Sequence, residues 1–272
     1  MTNFNKNNKF YIFYNYINQK NQILQAQIQK QVQISETKSQ LGQTITGVDL
    51  NNLTQEQFKD IKEALWTHGM ICINNQTLDT QQQIEFTQKW GKLVVLPPYY
   101  AFDNRDPEYP AIVRVGNVRL DGSVKPNSKD AEYWHKDGNF RQPGENFIIS
   151  ILIPKEIAQV GGQTRYACSE QVLRDLPENL KEKLDNAQII VTTQTISDFK
   201  DGKPEQHLPE AHHPVFAPHP ITGRKIFNIT QKNQNDVILK GGNRLDSKDI
   251  SPEIENSYKL HGHQWEMGDV VI

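Results

Sequence analysis

The sequence has little of what marks secreted, membrane or nucleic-acid-binding proteins. Its 272 residues include only two cysteines, Cys72 and Cys168, whose positions do not match zinc-site spacing and predict free thiols in a reducing compartment. No apolar run is long enough to span a bilayer. The net charge of −2 and the pI of about 6.5 offer no basic excess to nucleic acid or to a membrane surface. We therefore expect a cytoplasmic protein without nucleic-acid or membrane partners.

The first 38 residues lack arginine and contain no acidic residue before Glu36, while Asn, Gln and Lys dominate. This composition predicts a disordered tail over residues 1–38. A mitochondrial targeting segment is the minor alternative, because the stretch is basic but lacks the arginine typical of such segments. The folded domain is expected over residues 39–272.

Two helices are predicted from capping-box pairs followed by a glycine stop. The signals are Thr54, Gln57 and Gly69 for the first helix, and Thr80, Gln83 and Gly91 for the second. Between them, the apolar stretch MICI (70–73) predicts a short buried strand.

Many short strand-like segments separated by Pro, Gly and Asn follow residue 91. They predict a mostly β protein with flanking helices, of the α+β class, built as a sandwich or barrel of the jelly-roll kind. One helical interruption is expected at about 169–185. The predicted strands lie around residues 111–115, 133–137, 147–153, 164–167, 188–195, 214–217, 225–229 and 263–271.

The stretch EYWHKDGNF (132–140) contains the pair on which the functional prediction depends. Residues two apart on a strand project to the same face, so His135 and Asp137 would present an imidazole and a carboxylate together. Such a pair is two thirds of the 2-His-1-carboxylate triad that binds non-haem Fe(II). Taken alone, a His-x-Asp pair is more often a chance occurrence on an ordinary strand.

Six motifs in order carry a resemblance over residues 41–272. They are LGQTITGVDLNNLTQEQF, ALWTHGMICINNQTLDTQQQIEFTQKWGKL, YWHKDGNF, GGQTRYA (161–167), HPVFAPHPITGRKIFNI (213–229) and WEMGDVVI (265–272). Together they resemble the TauD/TfdA family of Fe(II)- and 2-oxoglutarate-dependent dioxygenases, whose metal motif reads WHxDxxF. The resemblance implies a double-stranded β-helix, which is the jelly-roll or cupin-like fold.

The resemblance also implies roles for particular residues. His135 and Asp137 would be the first two iron ligands, and the Thr164 hydroxyl would meet a carboxylate oxygen of 2-oxoglutarate unless the backbone satisfies it. Tyr99 falls where the family places substrate-facing residues, and Asn117 matches a frequent family Asn. For these two, core packing and a turn role respectively stay open. The implied reaction uses O2 to hydroxylate a small organic substrate and releases succinate and CO2; the ligands would also tolerate Mn or Co.

Two departures from the family pattern bear on activity. Leu96 stands where sulfonate-using members carry histidine, and because leucine donates no hydrogen bond, taurine is a doubtful substrate. The sequence ends at Ile272, before the family's distal iron-binding histidine and its 2-oxoglutarate-binding arginine. We therefore expect a C-terminally truncated record of a longer gene product, with little or no turnover by the chain as given.

Alternative interpretations concern four other histidines and the function itself. His213 and His219 are expected to be structural, with a pocket role as the lesser alternative. His261 and His263 are expected to be ordinary strand residues, with substitution as third ligand as the lesser alternative. The rival function is a non-catalytic jelly-roll binding protein or pseudoenzyme, whereas GGQT and HPITGR argue against a cupin-like hydrolase or isomerase. The oligomeric state stays open, a homo-oligomer included.

Overall fold

A computed structural model describes eight ranges of the chain and divides into two compact units. The first unit comprises the described residues up to Leu78, together with Ile153–Glu156 and Glu266–Val271. The second comprises Asp79–Leu152 and Ile157–Trp265. The described ranges are 32–34, 41–95, 105–118, 121–124, 134–145, 147–191, 210–229 and 234–272.

The first unit is built on a four-stranded mixed sheet. Its strands are β1 (Gln33–Ile34), β2 (Gln43–Thr46), β3 (Ile71–Ile73) and β12 (Val270–Val271), in the order β1-β2-β3-β12. Strands β2 and β3 run parallel because helix α1 (Gln55–His68) carries the chain back between them, and the outer pairs are antiparallel. A short 3-10 helix, Leu50–Asn52, precedes α1. Every residue of β3 is buried, as the continuous apolar run predicts.

Helix α1 begins and ends at the predicted residues. The Thr54 hydroxyl accepts a hydrogen bond from the Gln57 amide at 3.1 Å, and the Gln57 side chain accepts one from the Thr54 amide at 3.0 Å. Gly69 ends the helix with φ of +69° in the left-handed region. Both signals depend on neighbouring residues alone, and both predictions are confirmed.

Cys72 lies in the centre of β3 and is 4% exposed. Burial, reinforced by the nearby Asp269 carboxylate, raises the pKa of this thiol to about 12. Asp269 is itself fixed, since it accepts hydrogen bonds from the Asn74 side chain at 2.7 Å and from the Glu266 amide at 2.9 Å. Cys72 and the half-buried Cys168 are both free thiols, as predicted.

The second unit contains a four-stranded antiparallel sheet and two strand pairs. The sheet has the order β10-β9-β5-β6, and its members are β5 (Gln188–Val191), β6 (Ala211–Pro214), β9 (Gln234–Ile238) and β10 (Arg244–Asp246). The antiparallel pairs are β4 (Thr164–Ala167) with β11 (Leu260–His263), and β7 (Phe216–Pro218) with β8 (Lys225–Phe227). The helices are α2 (Thr80–Gln88), α3 (Ser169–Asp175), α4 (Glu178–Leu184), α5 (Ser251–Asn256) and the 3-10 helix Ser247–Asp249.

One apolar cluster joins the helices of the second unit to its strands. The fully buried Leu184 of α4, Ile189 of β5 and Val237 of β9 belong to it, and Phe140 packs against it from the turn that follows Asp137. Each such side chain contributes roughly 1.5–3 kcal/mol of hydrophobic stabilisation. The core therefore fixes the C-terminal end of the YWHKDGNF segment.

Two helix predictions need correction. The single helix expected at 169–185 is two helices, because Pro177 disfavours helical backbone at the residue before it and Leu176 turns extended, with ψ of 138°. Helix α2 is capped one residue earlier than predicted, by Asp79 paired with Gln82, consistent with the stronger N-cap preference of Asp over Thr. None of the helices in the described ranges is both long and apolar enough to span a membrane.

Within the described ranges, some of the predicted strands are present and others are not. Those at 164–167, 188–195, 214–217 and 225–229 correspond to β4, β5, β6 with β7, and β8, although residues 192–195 lie outside the description. Residues 111–115 form only an isolated bridge from Val113 to Arg105, and neither 134–137 nor 147–153 forms a named strand. The predicted strand 263–271 is divided into the end of β11 and β12, with Gly268 at φ of +93° between them.

Candidate metal centre

His135 and Asp137 come together where the chain enters a turn over residues 137–140. The distance between Nε2 of His135 and Oδ1 of Asp137 is 3.7 Å, which is longer than a hydrogen bond. Ligand bonds of about 2.1 Å place two donors within about 4.2 Å of each other, so the spacing admits one shared metal ion. Both side chains are about half exposed, at 43% for His135 and 54% for Asp137.

The pair meets over a turn, and the expected strand over 133–137 is absent from its described part. Gly138 has φ of +74°, in the left-handed region that glycine adopts without strain. A Cβ built on it would lie 3.0 Å from the ring of Phe147 and 3.2 Å from the Phe147 amide nitrogen. Glycine is therefore required both by the backbone and by the close approach of the following segment.

His213 holds the turn from the sheet side. This β6 residue is 4% exposed, and its Nε2 lies 2.9 Å from the carbonyl oxygen of Asn139. Because a carbonyl only accepts, Nε2 carries the proton. Burial lowers the pKa of His213 below its ordinary value and favours the neutral ring. The Nδ2 of the buried Asn139 has no hydrogen-bond partner in the part of the chain that the structure describes.

Lys136, between the two candidate ligands, is anchored separately. Its Nζ donates to Oδ1 of the buried Asn228 at 3.0 Å, and Nδ2 of Asn228 donates to the carbonyl of Pro214 at 2.9 Å. Desolvation lowers the pKa of Lys136 from its ordinary value. The backbone between the ligands is thus tied to the end of β6.

Ser150 contacts the carboxylate of Asp137 directly. Its Oγ donates a hydrogen bond to Oδ2 of Asp137 at 2.7 Å, while Oδ1 is the oxygen nearer to His135. One carboxylate oxygen is therefore occupied by a protein donor and the other faces the imidazole. Sequence reasoning missed Ser150, since nothing in the pattern of residues 147–153 distinguishes it from other strand-flanking serines.

Thr164 begins β4, directly across the ladder from His263 of β11. Its Oγ1 accepts a hydrogen bond from Nε1 of Trp265 at 2.9 Å, and the Trp265 ring meets His263 edge-on at 4.6 Å between centroids. A hydroxyl that accepts still has its own proton to donate. Trp265 was another residue that sequence reasoning missed.

Trp134 links the segment of the ligand pair to β4. Its ring lies 5.9 Å from the guanidinium carbon of Arg165 and packs edge-on against Tyr258 at 4.8 Å. Since Arg165 follows Thr164 on β4, the structure brings the YWHKDGNF and GGQTRYA motifs beside each other.

The other candidate residues lie elsewhere or outside the described ranges. Tyr99 and Leu96 are outside them. Asn117 is exposed in a bend before the isolated bridge between Val118 and Val124. His219 accepts hydrogen bonds from the amides of Ile221 and Thr222 through Nδ1, at 3.3 and 3.2 Å, which is a structural role in a turn.

Among the histidines, cysteines and carboxylates of the described ranges, the pair has no third protein ligand. Within the described ranges, none brings a ligand atom within 4.8 Å of both Nε2 of His135 and Oδ1 of Asp137. His261 and His263 therefore do not complete the set in this structure. The lowered pKa of His261, caused first by burial, is consistent with a neutral strand residue.

The chain is similar to one protein family and to several curated proteins. The family model described as "Taurine catabolism dioxygenase TauD, TfdA family" matches residues 33–272. An alpha-ketoglutarate-dependent 2,4-dichlorophenoxyacetate dioxygenase of Burkholderia sp. is 22% identical over 81% of this chain and 78% of its own length. An alkylsulfatase of Acinetobacter baylyi is 28% identical over 89% of this chain and 77% of its own length.

Two solved structures share the fold at low identity. The crystal structure of AAD-2 with Mn(II) and N-oxalylglycine has a TM-score of 0.69 at 15% identity, covering 89% of this chain and 86% of that one. A taurine dioxygenase from Burkholderia xenovorans has a TM-score of 0.66 at 17% identity, covering 88% and 78% respectively.

Proposed function

Because the chain belongs to the taurine catabolism dioxygenase TauD, TfdA family, we propose that His135 and Asp137 hold the iron of a 2-oxoglutarate-dependent dioxygenase. Enzymes of this family are oxidoreductases that use Fe(II) as cofactor and 2-oxoglutarate as co-substrate. The observation that carries the residue assignment is the approach of Nε2 of His135 to Oδ1 of Asp137 at 3.7 Å without a hydrogen bond between them.

The donor set fits Fe(II). An imidazole and a carboxylate are two of the three ligands of the 2-His-1-carboxylate site, which leaves coordination positions for small molecules. When bound, iron with 2-oxoglutarate and O2 supplies the oxidising chemistry that hydroxylates a substrate C–H bond and yields succinate and CO2. The Nδ2 of buried Asn139, two residues from Asp137, has no hydrogen-bond partner among the described residues, which supports a site that receives a polar ligand.

Thr164 contributes to binding 2-oxoglutarate in this proposal. Trp265 donates to Oγ1 of Thr164 at 2.9 Å, which uses one lone pair of the hydroxyl oxygen and leaves its proton to be donated elsewhere. A carboxylate is the strongest acceptor that such a proton can meet. The contact of Trp134 with Arg165 supports this placement, because it brings β4 beside the ligand segment.

The substrate we propose is a small organic acid or sulfate ester with an oxidisable C–H bond. Relatives named for 2,4-dichlorophenoxyacetate, phenoxypropionate and alkyl sulfates support that class, and Leu96 argues against taurine. Tyr99 and Asn117 stay proposals for substrate contact. The double-stranded β-helix is likewise a proposal, supported by TM-scores of 0.69 and 0.66 with two dioxygenase-like structures.

We also propose that the 272-residue chain turns over slowly. The second candidate function is a non-catalytic binding protein of this fold. Both are supported by the presence of two protein donors, His135 and Asp137, at the pair in the described part of the chain. Metal affinity rises with the number of protein ligands, so a pair binds iron more weakly than a triad.

The test measures metal binding and succinate release on the same protein. Anaerobic titration with Fe(II) and 2-oxoglutarate gives the affinity, and admission of air gives the rate of succinate release. We expect both to be lost in His135→Ala and Asp137→Ala and kept in His212→Ala, an exposed histidine on β6 that serves as the matched control. Iron binding without succinate would support the binding protein. Equal binding by all variants would refute the assignment of ligands.

A further inference from the structure

The Asp137 carboxylate is oriented by one side chain that the family motifs do not include. Oγ of Ser150 lies 2.7 Å from Oδ2 of Asp137, a short distance typical of a charge-assisted hydrogen bond between a hydroxyl and a carboxylate. The other oxygen, Oδ1, lies on the His135 side. The two oxygens are therefore not equivalent, and Ser150 creates the difference.

The backbone on both sides of this hydrogen bond is fixed by packing. Gly138 lies against the ring of Phe147, three residues before Ser150, so the segment carrying the hydroxyl is held against the turn carrying the carboxylate. On the far side of the turn, His213 holds the Asn139 carbonyl. What remains free is rotation of the carboxylate about its terminal torsion, which is broad and roughly two-fold in aspartate.

That rotation matters for the chemistry of the site. A metal bound beside His135 needs Oδ1 to point toward the imidazole. A carboxylate whose Oδ2 accepts a hydrogen bond from Ser150 holds Oδ1 on that side. A carboxylate released from Ser150 rotates among orientations, so that metal binding must first order it and the affinity falls.

We propose that Ser150 is a positioning residue that restricts Asp137 to coordination through Oδ1. This inference rests on the proposed function, since it presumes that Asp137 binds the metal. Groups that orient metal ligands from outside the coordination sphere typically affect metal affinity by about 10- to 100-fold. Because Ser150 is exposed, we expect about 10-fold.

The experiment compares Ser150→Thr with Ser150→Val, which share a branched shape and differ in the hydroxyl. The probe is Mn(II), titrated anaerobically into the full chain and followed by the electron paramagnetic resonance of the free ion. We expect Ser150→Thr to bind Mn(II) as the wild type does and Ser150→Val to bind it about 10-fold more weakly. The melting temperatures of the metal-free proteins should agree, which separates positioning from folding.

A matched control is Ser251→Ala. The Ser251 hydroxyl, in α5, donates to the carbonyl of Ser247 in the preceding 3-10 helix, and its removal should leave Mn(II) affinity unchanged. Equal affinities of the Thr and Val variants, with Asp137→Ala still losing Mn(II), would overturn the inference about Ser150 alone. Undiminished binding in Asp137→Ala, or no binding in the wild type, would overturn the proposed function instead. If Ser150→Val is unfolded, Ser150→Ala provides the same comparison without added bulk.

Discussion

Gly138→Ala should be among the most damaging single-methyl changes near the ligand pair. Two costs add. An L-residue in the left-handed region loses about 1–2 kcal/mol, and Gly138 has φ of +74°. The new Cβ would also lie 3.0 and 3.1 Å from two ring atoms of Phe147 and 3.2 Å from its amide nitrogen, an overpacking that costs about 1–3 kcal/mol. We therefore expect the free energy of unfolding to fall by about 2–5 kcal/mol.

Gly144→Ala is the matched control for this prediction. Gly144 has φ of +88°, and within the described part of the chain no atom lies within 4 Å of a built Cβ, so the substitution carries the backbone cost without the packing cost. Urea denaturation followed by tryptophan fluorescence gives both free energies by linear extrapolation. The difference between the two variants isolates the contact of Gly138 with Phe147.

The same variants also test the coupling of the turn to metal binding. Asp137 precedes Gly138, so a shifted turn should weaken Mn(II) binding in Gly138→Ala and leave it unchanged in Gly144→Ala. The reasoning is refuted if the two variants are destabilised equally. That result would mean that Phe147 moves aside without cost and does not fix the turn.

Three further predictions concern a hydrogen bond, a buried histidine and a helix cap. Trp265→Phe removes the donor to Thr164 at 2.9 Å, and a loss of about 1 kcal/mol should raise the dissociation constant of 2-oxoglutarate about five-fold in a Mn(II) titration. Burial lowers the pKa of His213, so the unfolded state takes up a proton first as the pH falls below about 6.5. Stability is then lost as the pH falls further, because protonation of the unfolded chain favours unfolding. Melting temperatures between pH 7 and 5 should fall less steeply in His213→Gln than in the wild type. Asp79→Ala should cost about 1 kcal/mol in urea denaturation and Thr80→Ala less than about 0.5 kcal/mol, and equal costs would contradict the observed cap.

Local signals predicted the parts of the fold that depend on neighbours in sequence. Thr54, Gln57 and Gly69 define α1 because capping and the left-handed stop involve residues three or four apart. The prediction for α2 was wrong by one residue, because Asp79 and the adjacent Thr80 are both suitable N-cap residues. Helix α5 was missed although Ser251 and its following proline are a typical N-terminal signal.

Pairings distant in sequence could not be predicted in the same way. Strands β9 and β10 were missed. Strand β9 pairs with β5 across 48 residues of sequence, at Val237 opposite Ile189. The pairing of β4 with β11 puts Thr164 opposite His263, about 100 residues away in sequence. The pattern of apolar and polar residues does not indicate which residues of two such distant strands face each other.

In the candidate site, too, the local spacing was predictable and the long-range contacts were not. The spacing of His135 and Asp137 predicts that they lie close together, and they do, but Gly138 achieves this with a turn where a strand was expected. Ser150 reaches Asp137 from the segment in which Phe147 packs on Gly138. Such a contact follows from tertiary packing and has no signature in composition or periodicity.

The unequal burial of the two cysteines has a practical consequence. Only the thiolate reacts with maleimides and similar reagents, and Cys72, with a pKa of about 12, remains a thiol at neutral pH. Cys168, half-buried at the start of α3, is then the single natural attachment point for a fluorophore or a spin label. It lies four residues from Thr164, so a reporter there would register co-substrate binding without any cysteine being removed.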